Sequence, residues 1–448
     1  MRIIADLDVA RSTILRRGGQ PEDSEGGQAA REANRRVWRE PLTIAEVVDR
    51  ILRDVASEGD TALRRIAARV DGFQAEEFAV PVDIVGAARA AVPRKTVHAL
   101  ELAAERIRWF HERHVPRGWE IRDETGVYGQ VVTPIERVGL LVPGGRATYP
   151  STVLMLAIPA RVCGCREVVV CSPPGPEGRP SPVILAAAAI AGVDRVFALG
   201  GAQAVAALAY GTASVPRVDK ILGPGNAYVA EAKRRVFGTV GIDQIAGPTE
   251  TLIIADDSPD PSIVAADVLA QAEHDPMAAA IVIALGENAA AAIAAAIATA
   301  IESAPRRSIL EASLAHNGGV IVAPSIDVAM DLANAYAPEH LALLVRDPWR
   351  YVPLVRHAGG VFVGEPSIEA IGDYVAGPSH VMPTGGTARF SSPITCHDFV
   401  KITSLFAIAE TGVARLGPAA ADLARAEGLE NHARAIEARD REKEHVGV

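Results

Sequence analysis

The run Val-Gly-Leu-Leu-Val-Pro-Gly-Gly at residues 138–145 joins a short apolar segment to a sharp turn, and this pairing recurs along the chain. Apolar runs at 167–171, 195–199 and 220–222 each end in a turn rich in Gly or Pro, and a helix-like segment follows each one. Strands that alternate with helices predict βαβ units and therefore a parallel sheet. We expect residues 138–248 to form a Rossmann-like, doubly wound unit.

A second series of strand-like and helix-like segments extends from residue 251 to residue 364. The predicted fold class is therefore α/β, with two Rossmann-like, doubly wound sheets, one inserted in the other, and a helical C-terminal arm. Residues 18–32 are polar and Gly-rich, which predicts an exposed loop. The predicted divisions are an N-terminal arm with a Gly-rich insertion (1–44), a main α/β domain (45–137 with 249–392), the inserted domain (138–248) and the C-terminal helical arm (393–448).

The composition excludes several classes of protein. The 448 residues carry a formal net charge of −10, with no basic run before the C-terminal tail, so a nucleic-acid partner is not expected. The Ala-rich run at 289–301 is too short to cross a bilayer, and the first 20 residues lack the apolar core of a signal peptide. Four cysteines in so long a chain are typical of cytosolic proteins. We therefore expect a cytoplasmic protein with no membrane partner.

Three Gly-containing turns follow strands of the smaller predicted sheet. They are Pro143-Gly144-Gly145, Gly200-Gly201-Ala202-Gln203 and Gly223-Pro224-Gly225-Asn226. Ligands of open α/β sheets bind beyond the carboxyl ends of strands, where glycine lets the backbone approach a phosphate and helix N-termini attract anions. None of the three turns is a G-x-G-x-x-G sequence, so a nucleotide site and a set of ordinary tight turns are both open alternatives.

Gln271 and His274 stand one helical turn apart in a helix-like segment. Their side chains should lie on one face of the helix, about 5–6 Å apart at Cβ. An amide oxygen and an imidazole at this separation suit a shared metal ion, although Gln is an uncommon zinc ligand. The alternative is a histidine that lies at the surface or is satisfied by its neighbours.

Two further polar segments indicate acid–base chemistry or ligand binding. Glu339-His340 precedes an apolar run, and a histidine suits a general base while a glutamate can activate water. The alternative there is an ion pair at the end of a loop. Residues 372–390 are Gly-rich and irregular, which is typical of a binding loop, and Asp373 and His380 are its candidate ligands; the alternative is a flexible linker. The cysteines lack a flanking catalytic pattern, and we expect structural roles for them.

Six segments of the chain closely resemble motifs of the histidinol dehydrogenase family. They are GPGNAYVAEAKRRVFG (223–238), GIDQIAGPTE (241–250), DVLAQAEHDP (267–276), YAPEHL (336–341), GDYVAGPSHVMPTGGTARFSS (372–392) and EGLENHARAIEAR (427–439). They occur in the family's order, and the resemblance extends from residue 40 to residue 440. The Gly-rich stretch near 18–32 is not part of it.

The resemblance implies a homodimer with one zinc ion in each active site. The implied zinc ligands are Gln271, His274 and Asp373 from one subunit and His432 from the C-terminal arm of the partner subunit. These ligands and His340 would also touch the substrate, together with Thr249 and with Glu427 from the partner's arm. His380 is a further candidate for the same pocket.

The implied reaction is the last step of histidine biosynthesis, which oxidises L-histidinol through L-histidinal to L-histidine with NAD as the acceptor in both steps. His340 would take the alcohol proton, and Glu339 would activate the water that adds to the aldehyde. Zinc would orient the substrate. NAD would lie along the smaller sheet, with Gln203 and Asn226 among its contacts.

Two positions depart from the family pattern. Leu141 stands where many relatives have Tyr, so a hydroxyl contact to NAD is absent or replaced at this predicted cofactor position. Thr249 stands where Ser is common, which keeps the hydroxyl but adds a methyl group. Two alternative functions are a dehydrogenase of the same family acting on another alcohol, such as a sulfonated diol, and a zinc hydrolase in which Glu339 or Glu273 activates water.

Overall fold

The computed structural model describes residues 1–17, 25–74, 76–144 and 148–439 of the chain. The strands are β1 (Ile3–Ile4), β2 (Ala79–Val80), β3 (Trp119–Asp123), β4 (Gly126–Pro134), β5 (Arg137–Leu141), β6 (Glu167–Ser172), β7 (Arg195–Ala198), β8 (Lys220–Leu222), β9 (Gly241–Ile242), β10 (Glu250–Ala255), β11 (Ala279–Leu285), β12 (Gly318–Ala323), β13 (His340–Leu344), β14 (Gly360–Val363) and β15 (Val400–Ile408). The helices are α1 (Leu7–Ser12), α2 (Glu25–Trp38), α3 (Ile44–Glu58), α4 (Asp60–Val70), α5 (Val82–Ala87), α6 (Arg94–His111), α7 (Pro150–Val162), α8 (Pro182–Ala191), α9 (Gly201–Tyr210), α10 (Ala227–Val236), α11 (Pro261–Ala272), α12 (Glu287–Glu302), α13 (Arg307–Asn317), α14 (Ile326–Tyr336), α15 (Glu369–Tyr374), α16 (Glu410–Ala426) and α17 (Glu430–Glu437).

The smaller sheet follows the predicted βαβ alternation and has the strand order β2-β7-β6-β5-β8-β9. Neighbouring strands are parallel except at the edge, where β2 runs antiparallel to β7. The chain passes from β5 outward through β6 and β7 and then returns to the other side of β5 at β8. Val168, Val169 and Val170 of β6 are fully buried, because helices cover both faces, and this explains the continuous apolar runs in the sequence.

The larger sheet is parallel throughout, with the order β1-β12-β11-β10-β13-β14. Its strand order reverses between β10 and β13, as that of the smaller sheet does between β5 and β8. The short strand β1 joins the far edge, where Ile3 pairs with Val320. The α/β prediction with two doubly wound sheets is confirmed.

Helices α3, α4 and α6 pack against the smaller sheet, which differs from the predicted grouping of residues 45–137 with 249–392. The buried faces of α3 and α4 share a core with β6 and α9, and α6 shares the core on the opposite face with α7 and α8. Periodicity in a sequence shows that a helix has an apolar face, but it does not show which sheet that face covers.

The C-terminal arm begins with a strand, which corrects the prediction of a helical segment from residue 393. β15 pairs antiparallel with β4, and β4 pairs with β3, in a separate three-stranded sheet. Residues 400–408 are rich in β-branched and apolar side chains, which favour an extended chain. The predicted helices follow as α16 and α17, which pack together around Ala421, Ala424 and Ala433.

The predicted loop over 18–32 is helical in its second half, since α2 begins at Glu25, while residues 18–24 lie outside the described part of the chain. Residues 28–32 are Gln-Ala-Ala-Arg-Glu, which are strong helix formers, and the glycines before them led to the loop prediction. Among the described residues, no helix combines the length and the apolar character needed to cross a membrane.

Candidate active site

A cleft of about 2030 Å³ is lined by both six-stranded sheets. The carboxyl edge of the smaller sheet contributes Gly144 and Asn226, from the turns after β5 and β8. The amino edge of the larger sheet contributes Thr249, Glu339 and His340, at the starts of β10 and β13. Ligands of open α/β sheets usually bind at carboxyl edges, so that rule accounts for only half of this cleft.

Glu339 lines the cleft although it is only 6% exposed. Its carboxylate Oε2 accepts hydrogen bonds from Thr249 Oγ1 at 2.7 Å and from the backbone N–H of Glu250 at 2.9 Å. Burial raises the pKa of Glu339 to about 7, although His340 and these two donors act in the opposite direction. A carboxyl group with this pKa can exchange a proton near neutral pH.

His340 is 3% exposed, and its Nδ1 lies 3.1 Å from the carbonyl oxygen of Glu250. A carbonyl oxygen only accepts, so Nδ1 carries a proton and Nε2 is the nitrogen that gains or loses one. Nε2 is buried and has no hydrogen-bond partner among the described residues. Burial lowers the pKa of His340, but the carboxylates of Glu369 and Glu339 outweigh this effect and raise the pKa to about 9.

Glu369 is a buried site residue that sequence analysis missed. Its Oε1 lies 3.6 Å from His340 Nδ1, and its side chain is 12% exposed. Thr251 Oγ1 donates a hydrogen bond to Oε2 at 2.5 Å. Burial raises the pKa of Glu369, and His340 opposes this. The available signal was spacing, because Glu369 and Asp373 are four residues apart and share one face of α15.

The side-chain amide of Gln271 is oriented by its neighbours. Gln271 Nε2 donates to Thr249 Oγ1 at 2.9 Å, and that hydroxyl donates onward to Glu339. Because the hydroxyl proton is committed to the carboxylate, the amide must present its NH₂ group to Thr249. The amide Oε1 is buried and has no hydrogen-bond partner among the described residues, although Gln271 is only 1% exposed. A buried carbonyl oxygen in this state is suited to a cation.

Gln271, His274 and Asp373 all line the cleft and offer an amide oxygen, an imidazole and a carboxylate. The surrounding protein desolvates His274 and lowers its pKa, against the opposing effect of Asp373. His274 is therefore neutral near neutral pH, as a metal ligand has to be. This donor set, with the unpartnered Oε1 of Gln271, fits Zn²⁺.

His380 holds the segment that carries Asp373. Its Nδ1 lies 2.6 Å from the backbone carbonyl oxygen of Asp373, and its Nε2 lies 3.0 Å from Thr152 Oγ1. Both ring nitrogens are therefore engaged with protein atoms. Burial lowers the pKa of His380, against the effect of Asp373, so the ring is neutral. This geometry favours a positioning role over direct coordination.

The three predicted NAD contacts lie in different places. Asn226 lines the cleft and caps α10, where its Oδ1 accepts from two backbone N–H groups of the first turn at 3.0 and 3.2 Å. Gln203 is 1% exposed and donates to Asp71 at 3.1 Å. Leu141 packs in the core shared with α3 and α9. Neither Gln203 nor Leu141 is among the described residues that line the cleft. Gly145, in the turn after β5, lies outside the described residues.

The turn before Asn226 is braced by a buried ion pair between Lys233 and Asp243, whose side chains are 2% and 1% exposed. Lys233 Nζ donates to the carbonyl oxygen of Gly223 at 2.9 Å, and the N–H of Gly223 donates to Asp243 at 2.7 Å. Gly223 has a φ of +113°, a conformation that favours glycine. The backbone beside the cleft is thereby fixed.

An arginine from the N-terminal segment also reaches the cleft, which sequence analysis did not anticipate. Arg17 Nη2 lies 2.6 Å from Glu250 Oε2, and its guanidinium lies 3.5 Å from the centroid of the Tyr336 ring. The N–H of Gly385 donates to the other oxygen of Glu250 at 2.9 Å. This carboxylate therefore ties the N-terminal segment and the 372–390 loop to the start of β10.

Glu427 and His432 do not line the cleft of their own chain. Glu427 lies at the end of α16, His432 lies on α17, and both are exposed. The described residues that line the cleft include none beyond Ser391. A single chain therefore brings three of the four predicted zinc ligands to the cleft.

Comparison with known proteins identifies relatives along most of the chain. The family model for histidinol dehydrogenase matches residues 34–440. A histidinol dehydrogenase of Deinococcus radiodurans is 52% identical over 403 residues, which cover 89% of this chain and 92% of that protein. One of Synechococcus sp. is 48% identical over 395 residues, which cover 88% of this chain and 91% of that protein.

A solved structure is also similar. The crystal structure of histidinol dehydrogenase from Elizabethkingia anophelis superposes with a TM-score of 0.89 at 32% sequence identity. The superposition covers 98% of this chain and 96% of that one. With the family match over 34–440 and relatives near half identity, these similarities show that the chain belongs to the histidinol dehydrogenase family.

Proposed function

We propose that this chain oxidises L-histidinol to L-histidine in two successive steps, with NAD as the hydride acceptor in each. The observation that carries the proposal is the hydrogen-bonded chain from Gln271 through Thr249 to Glu339, beside the free Nε2 of His340. It sets a metal-ligand oxygen, a carboxylate and an unpartnered imidazole nitrogen around one cleft. The family match favours histidinol over another alcohol or a hydrolytic reaction.

His340 acts in the first step as the proton acceptor. Its Nδ1–H donates to the carbonyl oxygen of Glu250, which holds the ring so that Nε2 is the free position. The substrate hydroxyl gives its proton to Nε2 as the hydride leaves the same carbon. The carboxylates of Glu369 and Glu339 then stabilise the imidazolium that forms.

Glu339 acts in the second step, when water adds to the aldehyde. Its carboxylate accepts a proton from the attacking water, and a pKa of about 7 places it close to half ionised at neutral pH. The donors Thr249 and Glu250 keep the carboxylate in place between the two steps. The aldehyde oxygen takes up the proton that His340 received in the first step, so the hydrate has a hydroxyl and a hydrogen on the same carbon. His340 is then unprotonated again, and the first-step chemistry repeats.

Gln271, His274 and Asp373 are the residues of this chain that would hold zinc. When bound, the ion supplies a Lewis-acidic anchor that orients the substrate. The fourth ligand would be His432 of the partner subunit, with Glu427 of the partner subunit nearby as a substrate contact. NAD would lie against the turns after β5 and β8, where Gly144 and Asn226 line the cleft. The buried positions of Gln203 and Leu141 assign them no direct contact in this proposal.

The homodimer is supported by the exposed apolar side chains of the C-terminal arm. Phe406 is 71% exposed, Leu423 is 67% exposed, and Ile402 and Ile408 are each 54% exposed. Ile402, Phe406 and Ile408 occupy alternate positions of β15 and therefore share one face of the strand, and an exposed apolar face favours an interaction site. A cytoplasmic location is supported by the four cysteines, which are free and buried, as is usual in a reducing compartment.

The first test measures NADH formed per L-histidinol by the zinc-loaded protein, by the same protein after chelation, and after zinc is restored. We expect two NADH per histidinol, loss of turnover on chelation and recovery with zinc. A folded, zinc-loaded protein that does not oxidise histidinol but oxidises another alcohol would overturn the substrate assignment.

A second test asks whether the site is shared between subunits. Gln271→Ala and His432→Ala each remove one proposed ligand, and each variant should be inactive alone. In a mixed dimer, one of the two sites combines the intact Gln271 of one chain with the intact His432 of the other. Random mixing should therefore restore about a quarter of the wild-type activity. No recovery in a mixture shown to contain mixed dimers would contradict the shared site.

A further inference from the structure

A second group of metal-binding side chains lies outside the cleft, where α6 ends. His111 is the last residue of α6, and His114 ends the 3-10 turn Glu112–His114 that follows it. Cys396 begins the 3-10 turn Cys396–Phe399. One ligand atom from each of these three residues lies within 4.8 Å of the others. Two distant parts of the chain therefore present nitrogen and sulfur atoms to one point.

The two histidines have unsatisfied nitrogen atoms. The Nε2 atoms of His111 and His114 are buried and have no hydrogen-bond partner among the described residues, and His111 is 0% exposed. A buried polar atom without a partner destabilises the folded protein. Phe110 packs edge-on against both rings, with centroids 5.2 and 5.0 Å away, which shields them from solvent but satisfies neither nitrogen.

The sulfur geometry fits a tetrahedral ion. Cys396 Sγ lies 3.9 Å from His111 Nδ1. Bonds of about 2.3 Å to sulfur and 2.0–2.1 Å to nitrogen at a tetrahedral angle place the two ligand atoms about 3.6 Å apart. Small movements of side chains would close the difference.

A fourth donor is adjacent. Cys163 Sγ lies 3.5 Å from the backbone carbonyl oxygen of Cys396, and it is 7% exposed while Cys396 is 0% exposed. Structural zinc sites are closed, four-coordinate sets of Cys and His, whereas catalytic sites keep an open position. We infer that His111, His114 and Cys396, with Cys163 as the fourth ligand, form a structural site for a zinc-class transition-metal ion.

The position of this site suggests what the ion stabilises. α6, Cys163 and Cys396 all belong to the core around the smaller sheet, and Cys396 also lies four residues before β15, at the base of the C-terminal arm. Cys165 Sγ makes a further contact in this region, 3.6 Å from the carbonyl oxygen of Phe399. A bound ion would therefore fix the base of the arm to the core. The metal site itself does not depend on the proposed reaction.

The test reloads the metal-free full-length protein with Co²⁺ and records its absorption spectrum. The proposed cleft ligands are oxygen and nitrogen atoms only, so a thiolate-to-cobalt charge-transfer band reports the second site alone. We expect the wild-type protein to bind two metal ions per chain and to show this band. A folded wild-type protein that binds at most one ion per chain and lacks the band would overturn the proposal.

Variants show which cysteines produce the charge-transfer band, and this readout does not depend on enzyme activity. Cys396→Ser and Cys163→Ser should each leave about half the intensity of the band, because one thiolate then binds instead of two, and the double variant should abolish the band and remove one metal ion per chain. Cys171→Ser is the matched control, since Cys171 is equally buried but lies outside the cluster. A band of unchanged intensity in folded Cys396→Ser, or any band in the folded double variant, would also overturn the assignment. Histidinol turnover is a separate readout, so failure of the proposed reaction would leave this result intact.

Discussion

Replacing Glu369 with glutamine should lower the pKa of His340 and shift the pH dependence of alcohol oxidation with it. Glu369 Oε1 lies 3.6 Å from His340 Nδ1 and is the largest favourable influence on the charged imidazole. At an effective dielectric constant of about 20, two unit charges at this separation interact by about 4–5 kcal/mol. That energy corresponds to about three pKa units, and solvent in the cleft reduces it, so we expect a shift of about one to three units.

The sign of the effect follows from the proposed role of His340. The imidazole must be unprotonated to accept the hydroxyl proton, and with a pKa of about 9 only about one His340 in a hundred is unprotonated at pH 7. The rate of alcohol oxidation in the wild-type protein should therefore rise as the pH increases through about 9. In Glu369→Gln the same rise should occur at lower pH, because the charge that holds the proton has gone while Thr251 keeps a hydrogen-bond acceptor.

The assay is kcat/KM for L-histidinol as a function of pH, measured for wild-type protein, Glu369→Gln and a control. Glu365→Gln is the matched control, because Glu365 is exposed and this substitution removes the same charge four residues before Glu369. The control should keep the wild-type profile. If the rise in kcat/KM of folded, zinc-loaded Glu369→Gln occurs at the same pH as in the wild-type protein, the electrostatic account of His340 is refuted.

Three further predictions test separate parts of the site. Glu339→Gln should slow oxidation of the aldehyde by about 10²- to 10⁴-fold and slow oxidation of the alcohol much less, because only the aldehyde step needs activated water and Glu369 still stabilises the imidazolium; equal loss in both half-reactions, followed by stopped-flow absorbance, would count against this role. His340→Asn should slow the first oxidation by a similar factor when histidinol is the substrate, and wild-type rates would exclude His340 as the base. Lys233→Met should lower the free energy of unfolding by about 3–5 kcal/mol in chemical denaturation, since it leaves the carboxylate of Asp243 buried without its partner; a loss below about 1 kcal/mol would show that the pair contributes little.

The parts of the fold that were predicted from sequence are those with local signals. Strands such as β6 are buried on both faces, so their continuous apolar runs stand out. The placement of α3 and α6 was not predictable in this way, because an amphipathic helix has the same sequence pattern whichever sheet it covers. β15 was missed because a long polar, helix-like segment follows it, and because its pairing partner β4 lies more than 250 positions away.

In the candidate site, too, residues with a local sequence signal were predicted and residues placed by tertiary contacts were missed. Gln271 and His274 are close in sequence, and both line the cleft. The predicted shared helical face is wrong, because α11 ends at Ala272 and His274 lies in the turn that follows it. Arg17 reaches the cleft, and Glu369 reaches His340, only through tertiary structure, and each is an ordinary charged residue in its own segment. Gln203 follows a Gly-rich turn and was predicted to contact NAD, but its side chain points into the protein, toward Asp71. Sequence alone does not show which way a side chain at a helix start will face.

The pairing of β1 with β12 affects how the protein is made. All strands of the smaller sheet exist once the ribosome has synthesised β9, and the core between that sheet, α3 and α9 can be buried early, whereas Ile3 must wait for Val320. At about 5–20 residues per second, the intervening chain takes roughly 15–60 s to emerge. During that time the N-terminal segment, including Arg17 with its later partner Glu250, has no sheet to join. Order of synthesis thus makes the larger sheet, and the half of the cleft that carries Glu339 and His340, form later than the core beside α3 and α9.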